Sequence, residues 1–341
     1  MRRVRELSYA QALNEGARQL MARDERVFIL GQGVVSPWYV GMTTVGLRDQ
    51  FGKKRVVDTP VSEDSVTGMA LGAAIAGMRP IVVHPRMDFA LLAMEQLIGQ
   101  ASNLHYMSAG QVTVPLTARL IVNRGGEQAA QHSQSLQALF AHIPGLKVVM
   151  PSTPYDAKGL LIASVYDDNP VIFIDDRWLY NDVGPVPEEM YQVPIGRGVV
   201  TREGQDVTVV ASSYLAAEAQ RTAMQLESRG IDAEIIDLRT VKPIDSGVIV
   251  ESVKKTGRLL VIDGGWAACG VSAEVAALVA ESDAVQYLKA PVRRLTLPPA
   301  PAPMSAVLEQ AYYHDAEDII AALQQLLEKP GVITPRSRCD V

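Results

Sequence analysis

The chain has 341 residues and a mass of 36.9 kDa, which is more than one hydrophobic core usually organises, so two domains are expected. Apolar residues make up 48% and charged residues 21%, a balance that excludes disordered and fibrous proteins. Thirty-two basic against 38 acidic residues give a net charge of -6, the wrong sign for a protein that binds nucleic acid along its phosphates.

The cysteine content and the hydropathy pattern bear on the compartment. Cys269 and Cys339 are the two cysteines, and neither has CxxC or metal-ligand spacing, so no disulfide framework or zinc site is expected. The first residues lack the apolar core of a signal peptide, and no run of about 18 apolar residues predicts a membrane span. We therefore expect a cytoplasmic protein without a membrane partner.

Helical and strand patterns alternate along the first half of the chain. Apolar spacing predicts helices near residues 8–23, 62–76, 87–104 and 154–166, and short apolar runs predict strands at 27–30, 56–57, 81–83, 112–121, 148–150 and 171–174. Apolar strands separated by helices indicate an α/β fold with a mostly parallel sheet between helices.

A stretch rich in proline and glycine follows Tyr180 and predicts an interdomain connection. Beyond it, strand patterns at 207–210, 233–236 and 259–262 and helical patterns at 215–229 and 271–281 predict a second, smaller α/β domain, which ends with a proline-rich segment and a final helix. The expected division is a first domain over 1–185, a linker over 186–205, a second domain over 206–330 and a loosely held tail over 331–341.

Common local motifs do not assign a function. Gly31-Gln32-Gly33 follows a predicted strand, but Ser36 stands where a dinucleotide-binding fingerprint needs its third glycine. P-loop, GxSxG, HExxH and EF-hand spacings do not occur in the sequence, so nucleotide, serine-hydrolase, zinc-protease and calcium functions lack local support.

The segment TPVSEDS, residues 59–65, joins a predicted strand to a glycine-rich helix. In one interpretation Ser62 caps the helix while Glu63 and Asp64 complement its positive end, which is worth about 0.3–1 kcal/mol per charge. In the other, a carboxyl group at the carboxyl end of a strand serves as an acid or base, because ligands of open α/β sheets collect there. The pattern leaves both open.

Two further residues carry the same ambiguity. His132 lies in AAQHSQS after a glycine-containing loop, and it could be a structural histidine at a helix start or a catalytic one. Phe89 follows HPRMD after a predicted strand, and a lone aromatic at a helix start is compatible with a core position as well as with a stacking surface.

A family resemblance resolves part of this ambiguity. The chain resembles the beta subunit of thiamine-diphosphate-dependent 2-oxoacid dehydrogenases, the decarboxylating component, in the ordered segments TPVSE, GAAIAGMRPIV, MDF, AAQHSQS, GLKVVMPSTPYDAKGLL and DDNPVIF. DLRTVKPID, SVKKTGRLLVIDGGW and RRLTLPPAPAP extend the resemblance over nearly the whole chain. It implies a transketolase-like pyrimidine-binding domain followed by a smaller α/β transketolase C-terminal domain.

The resemblance also implies site residues. Glu63 would hydrogen-bond the aminopyrimidine ring of thiamine diphosphate and promote loss of the proton from its thiazolium carbon. Phe89 would pack on that ring, Val61 would lie near it, and His132 would face the reacting carbons and assist proton or lipoyl transfer.

Near the expected mouth of the substrate site, His84 stands where relatives have Phe or Ile, and Arg86 lies two residues beyond it. Both are substrate-binding candidates. Arg86 could pair with a carboxylate or phosphate, or it could be an ordinary solvated charge.

The resemblance further implies a potassium-binding loop with ligands at Leu116, Ser164, Asp167 and Asn169. The sequence contains no Gly-Asp-Gly, the motif with which relatives hold magnesium and the diphosphate. We therefore expect an alpha-type partner chain to hold the diphosphate and magnesium, in a heterotetramer of two alpha and two beta subunits, with a lipoyl-bearing acyltransferase as a further partner.

Departures from the family pattern keep a second function in view. Gln32, Val83 and Gly264 stand where acidic residues are common in relatives. The leading hypothesis is the beta-type half of an enzyme that decarboxylates a 2-oxo acid and passes the acyl group to lipoamide. The alternative is a split transketolase-like carboligase or acyltransferase of a biosynthetic pathway, and a third hypothesis is a regulatory or scaffold subunit without catalytic activity.

Overall fold

The computed structural model describes residues 4–36 and 40–327, and the tail expected over 331–341 lies outside these residues. Within the described ranges the chain forms two α/β halves, each built around its own sheet. Among the helices of these ranges, none has the length and apolar character that a membrane span requires.

The elements of the described residues are numbered in chain order. The strands are β1 Val4–Ser8, β2 Val27–Gly31, β3 Val56–Asp58, β4 Arg79–His84, β5 Thr117–Val122, β6 Lys147–Val149, β7 Val171–Asp176, β8 Val183–Pro187, β9 Val199–Arg202, β10 Val207–Ala211, β11 Ala233–Asp237, β12 Thr240–Lys242, β13 Leu259–Trp266 and β14 Arg293–Leu297.

The α-helices are α1 Tyr9–Arg23, α2 Leu47–Phe51, α3 Glu63–Ile75, α4 Ser102–Met107, α5 Gln137–His142, α6 Pro154–Tyr166, α7 Ser213–Ser228, α8 Ser246–Thr256, α9 Val271–Ala280, α10 Ala306–Tyr312 and α11 Ala316–Leu327. Shorter 3₁₀ helices are Met87–Ala93, Arg177–Leu179 and Asp283–Tyr287, and a π-helical stretch covers Glu95–Ala101.

The first sheet has seven strands in the order β12-β6-β7-β5-β4-β2-β3, parallel throughout except for β12. Successive residues of β7 divide between two hydrophobic clusters, with Ile172 and Ile174 in one and Val171 and Phe173 in the other. Because neighbouring strand residues point to opposite faces, both faces of this sheet are covered, as the apolar strand pattern predicts.

The second sheet has the order β14-β13-β10-β11-β9, in which only the edge strand β9 among these described strands runs antiparallel. Strand β9 lies within the segment expected as a linker. Strand β12 follows β11 in the chain but pairs with β6, so it adds an edge to the first sheet. The two halves therefore share hydrogen-bonded structure as well as a connecting segment.

Three sequence-based boundaries are wrong for physical reasons. The helix predicted over 87–104 begins as a 3₁₀ helix, because its fully buried residues Met87, Ala90 and Ala93 repeat every three positions. The strand predicted from residue 112 begins only at Thr117. The backbone N–H groups of the loop before it donate their hydrogen bonds outside the sheet, and Pro115 has no N–H to donate. The single final helix is two helices, α10 and α11.

The last residue of β4 fixes the start of the neighbouring helix. His84 is 3% exposed, and its Nε2 lies 3.0 Å from the hydroxyl oxygen of Thr67 on α3. Burial lowers the pKa of His84 to about 4, so its imidazole is neutral at neutral pH. This hydrogen bond ties α3 to the carboxyl end of β4.

The buried histidine makes stability depend on pH. The unfolded chain protonates His84 near pH 6.5 and the folded chain only near pH 4, so stability falls as the pH drops through this window. We expect the wild type to lose about 2 kcal/mol more unfolding free energy than His84→Gln between pH 7 and pH 5. Denaturant titration at both pH values measures this, with His105→Gln at an exposed position as the control. Equal losses in wild type and His84→Gln would contradict the assignment.

Candidate functional site

The predicted site residues lie along the carboxyl edge of the first sheet, where β2, β3 and β4 end. The strands β2 and β4 approach closely there, because a β-carbon on Gly31 would lie 2.4 Å from the carbonyl oxygen of Val83. A small cleft opens between the β3–α3 connection and the end of β4. Its lining residues are Gln32, Thr59, Pro60, Ser62, Glu63, Val66, Val83, His84 and Pro85.

Glu63 is the first residue of α3 and lines this cleft, with 9% of its surface exposed. Its carboxylate has no hydrogen bond or ion pair to any residue of the described ranges, whereas the adjacent Asp64 accepts a hydrogen bond from Gln96 at 3.1 Å. Ser62 stands at the N-cap position, but its side chain makes no capping bond, so the capping interpretation is wrong for Ser62. The structure therefore leaves the Glu63 carboxylate available to a ligand.

Phe89 and His132 come together although 43 positions separate them in the chain. Their rings meet edge to face, with centroids 5.3 Å apart and an angle of 86° between the planes. Phe89 belongs to the 3₁₀ helix Met87–Ala93, which packs against α3. Because Phe89 is only partly buried, some of its ring surface remains available beside the helix that begins with Glu63.

Asp88 is a site residue that sequence reasoning missed. Its carboxylate is buried, Oδ1 accepts the backbone N–H of Gln134 at 3.1 Å, and Oδ2 has no partner within the described residues. Burial raises the pKa of Asp88, while the hydrogen bonds from Gln134 and the charge of His132 act in the opposite direction. Asp88 thus fixes the loop that carries His132. Its position next to Phe89 was the one available sequence signal.

The remaining predicted residues differ in their accessibility. Val61 is 68% exposed beside the cleft, so its side chain is available to a ligand or a partner. His84 is held against Thr67 and reaches the cleft only as part of its lining. Arg86 donates to the carbonyl oxygen of Pro85 and to Oε1 of Gln128, each at 3.1 Å, which holds it against a neighbouring loop.

The four residues matched to a potassium loop also gather in one place, at the end of α6 and the start of β5. The carbonyl oxygen of Leu116 accepts the N–H of Val171 at 2.9 Å, and that of Ser164 accepts the N–H of Asp167 at 3.3 Å. The side chain of Asn169 donates to Oδ1 of Asp167 at 3.0 Å. Each carbonyl oxygen retains a second lone pair, which a cation could use.

Two cationic side chains already bind this loop. Arg79 donates to the carbonyl oxygen of Asp167 at 3.1 Å and forms an ion pair with Asp168, and Lys147 pairs with the carboxylate of Asp167. The carboxylate therefore does not fit as a ligand of a further cation, and the fit rests on the carbonyl oxygens alone.

A larger groove of about 720 Å³ lies elsewhere, between α5, β12 and α9. Its polar lining residues include His142, Lys242, Cys269 and Glu274. No Phe, Tyr or Trp is among its lining residues, so it lacks an aromatic ring that could stack on a cofactor. Within residues 4–36 and 40–327 no group of three His, Cys, Asp or Glu side chains could hold a metal ion. We therefore place the candidate site at the smaller cleft, where Glu63 lies and beside which Phe89 and His132 meet.

Comparisons with known proteins agree with this geometry. The family model "Transketolase, pyrimidine binding domain" matches residues 5–182, and "Transketolase, C-terminal domain" matches residues 196–319. Among solved structures, a split gene transketolase in an inactive beta4 tetramer superposes with a TM-score of 0.73 over 94% of this chain and 98% of that chain. At 21% identity, this likeness shows a shared transketolase-like fold.

Curated relatives are nearer in sequence. The beta subunit of acetoin:2,6-dichlorophenolindophenol oxidoreductase from Bacillus subtilis is 40% identical over 96% of this chain and 99% of its own length. The E1 component beta subunit of pyruvate dehydrogenase from Rickettsia felis is 40% identical over 94% of this chain and 98% of its own length. The 2-oxoisovalerate dehydrogenase beta subunit from Bacillus subtilis is also 40% identical, over 94% of this chain and 99% of its own length. With both domains matched in order, this chain belongs to the transketolase-like family of 2-oxoacid dehydrogenase beta subunits.

Proposed function

We propose that this chain is the beta-type half of a thiamine-diphosphate-dependent enzyme that decarboxylates a 2-oxo acid and transfers the acyl group to lipoamide. The observation that carries the proposal is the Glu63 carboxylate, which lines a cleft at the carboxyl edge of the sheet without a partner in the described residues. The relatives at 40% identity, two of them named as 2-oxoacid dehydrogenase subunits, favour this function over the split carboligase.

The residues present fit the pyrimidine end of the cofactor. A nearly buried carboxylate, a partly exposed aromatic ring and the exposed apolar Val61 supply a proton acceptor and two apolar contacts. When bound, thiamine diphosphate supplies a thiazolium carbon that can lose a proton and add to a carbonyl group. Glu63 would share a proton with the ring nitrogen of the aminopyrimidine, and its burial would keep bulk water from competing for that hydrogen bond.

The other side chains orient and protect this chemistry. The ring surface of Phe89 that His132 leaves uncovered would pack on the ring of the cofactor. His132, held by its edge-to-face contact and by the loop bond to Asp88, serves proton or lipoyl transfer after decarboxylation. His84 and Arg86 line the approach of the substrate, where Arg86 is the group that can attract its carboxylate.

The diphosphate and magnesium belong to an alpha-type partner chain. Large apolar side chains are exposed around the cleft, on the loop before α3, on α3 itself and on the 3₁₀ helix that packs against it: Val61 at 68%, Met69 at 57% and Leu92 at 62%. An apolar patch at this position is suited to burial under the partner. The assembly is a heterotetramer of two alpha-type and two beta-type subunits, and a lipoyl-bearing acyltransferase receives the acyl group.

A cytoplasmic location goes with this function. Cys269 is a free cysteine and is exposed, and a free exposed thiol is typical of proteins in a reducing compartment. We therefore assign the enzyme to the cytoplasm.

Requirement for a second chain is the direct test of the function. We expect this chain and its alpha-type partner, co-purified and supplied with thiamine diphosphate and magnesium, to release carbon dioxide from at least one member of a panel of 2-oxo acids. Neither chain alone should do so, because each holds half of the site. Reduction of lipoamide supports the dehydrogenase function, and product formation only with an aldehyde acceptor supports the carboligase. Turnover by the isolated chain would contradict the shared site.

The role of Glu63 is tested by a substitution that preserves its shape. We expect Glu63→Gln to slow hydrogen–deuterium exchange at the thiazolium carbon in the reconstituted complex by at least about 100-fold. An amide cannot take the place of the carboxyl group in sharing a proton with the aminopyrimidine ring nitrogen. Asp64→Asn is the matched control, since it removes the same charge from the next residue of the same helix. Exchange at the wild-type rate in Glu63→Gln would remove Glu63 from the mechanism.

The potassium site is tested without an activity measurement. A potassium ion on the carbonyl oxygens of Leu116, Ser164, Asp167 and Asn169 would order the loop after α6. We expect the thermal midpoint of the complex to be higher by about 1–2 °C in potassium chloride than in sodium chloride of equal concentration, the shift that about 1 kcal/mol produces in a chain of 341 residues. Identical midpoints in the two salts would remove potassium from the proposal.

A further inference from the structure

The segment after His132 is bound by the second half of the molecule. The hydroxyl group of Ser135 donates to Oε1 of Gln137 at 2.6 Å, and Nε2 of Gln137 donates to Oδ1 of Asp263 at 2.8 Å. Asp263 lies on β13 in the second sheet, so this chain of hydrogen bonds crosses between the halves. All three side chains are at least 93% buried, and each bond is therefore protected from water.

Asp263 is itself firmly held. Its Oδ1 also accepts the backbone N–H of Gly265 at 3.0 Å, and its Oδ2 accepts the backbone N–H of Ser272 at 2.9 Å. Ser272 lies in the first turn of α9, whose positive end stabilises a carboxylate. Because backbone groups bind both oxygens, Asp263 has little freedom to move and can act as an anchor for Gln137.

Two glycines make the contact between the halves possible. A β-carbon on Gly265 would lie 3.1 Å from Nε2 of Gln137, and one on Gly264 would lie 3.1 Å from a guanidinium nitrogen of Arg124. Both distances are tighter than ordinary van der Waals contact, so larger residues would push β13 away from the loop. Gly264 is thus explained by packing against Arg124, which forms a buried ion pair with Asp176 at 2.7 Å.

The same segment is also held by the first half. The backbone N–H of Gln134 bonds to Asp88, and that of Leu136 lies 3.4 Å from the sulfur of Met87. Both partners belong to the 3₁₀ helix that carries Phe89. The residues that follow His132 are therefore fixed on one side by the aromatic helix and on the other by Asp263.

We propose that Asp263, acting through Gln137 and Ser135, is a positioning residue for His132. This inference rests on the proposed function, since it takes His132 as the group that serves transfer of the acyl group. Asp263 does not touch the reacting atoms. It fixes the loop, and a displacement of about 1 Å in a reacting group can cost roughly 100-fold in rate. The proton step at Glu63 depends on α3 and is independent of Asp263.

The test substitutes Gln137 in the complex reconstituted with the alpha-type partner. Gln137→Glu places a second carboxylate against Asp263 and repels it. We expect reduction of free lipoamide, with the best 2-oxo acid of the panel, to fall about 10- to 100-fold in kcat, and hydrogen–deuterium exchange at the thiazolium carbon to stay within twofold of wild type. His132→Ala should show the same split between the two steps.

Two companion variants separate positioning from simple destabilisation. Gln137→Met removes both hydrogen bonds without adding charge, and it replaces Gln137→Glu if that variant does not fold. Gln225→Glu, at an exposed position on α7, is the charge control and should leave both rates unchanged.

Each outcome decides the inference. It is overturned if Gln137→Glu or Gln137→Met keeps the lipoamide rate within twofold, or if exchange falls together with lipoamide reduction. A wild-type complex that exchanges no proton at the thiazolium carbon would overturn the proposed function and this inference with it. That failure is distinguishable, because it appears before any residue is changed.

Discussion

The parallel arrangement of the first sheet is the constraint on which the rest of the structure depends. Parallel strands end at a common edge, so the connections after β2, β3, β4 and β5 leave the sheet from the same side. The start of α3, the 3₁₀ helix with Phe89 and the loop with His132 are three of these connections. The strand order alone thus makes neighbours of residues that are far apart in the chain. Their side chains then need only hydrogen bonds to adjacent groups to stay in place.

That local support comes from both halves of the molecule. Thr67 holds the end of β4 through His84, and Asp88 holds the loop of His132 from the first half. Asp263 completes the support from the second half. The Glu63 carboxylate differs from these supporting groups because neither of its oxygens has a partner in the described residues, which is the condition that a carboxylate needs if it is to bond to a cofactor.

The sequence predicted features that depend on local pattern and missed those that depend on distant contacts. The helix over 154–166 was predicted with the bounds it has, since Thr153 caps it and Pro154 opens it. Local pattern made Glu63, Phe89 and His132 candidates, and the family resemblance supplied their expected roles. The pairing of β12 with β6 and the bond between Gln137 and Asp263 join residues 91 to 126 positions apart, which no periodicity encodes. The 3₁₀ winding at Met87 was missed because a three-residue repeat resembles an α-helical one over so short a span.

The position of β12 has a consequence for how the polypeptide can be divided. Because β12 covers the outer edge of β6, a fragment cut between the two sheets would leave the backbone N–H and C=O groups of that edge unpaired. An unpaired edge is a template for association with other strands. The edge strand β6 of the N-terminal sheet therefore stays paired only through a strand from the second half of the chain. Gene fusions or truncations at this junction would produce aggregation-prone fragments.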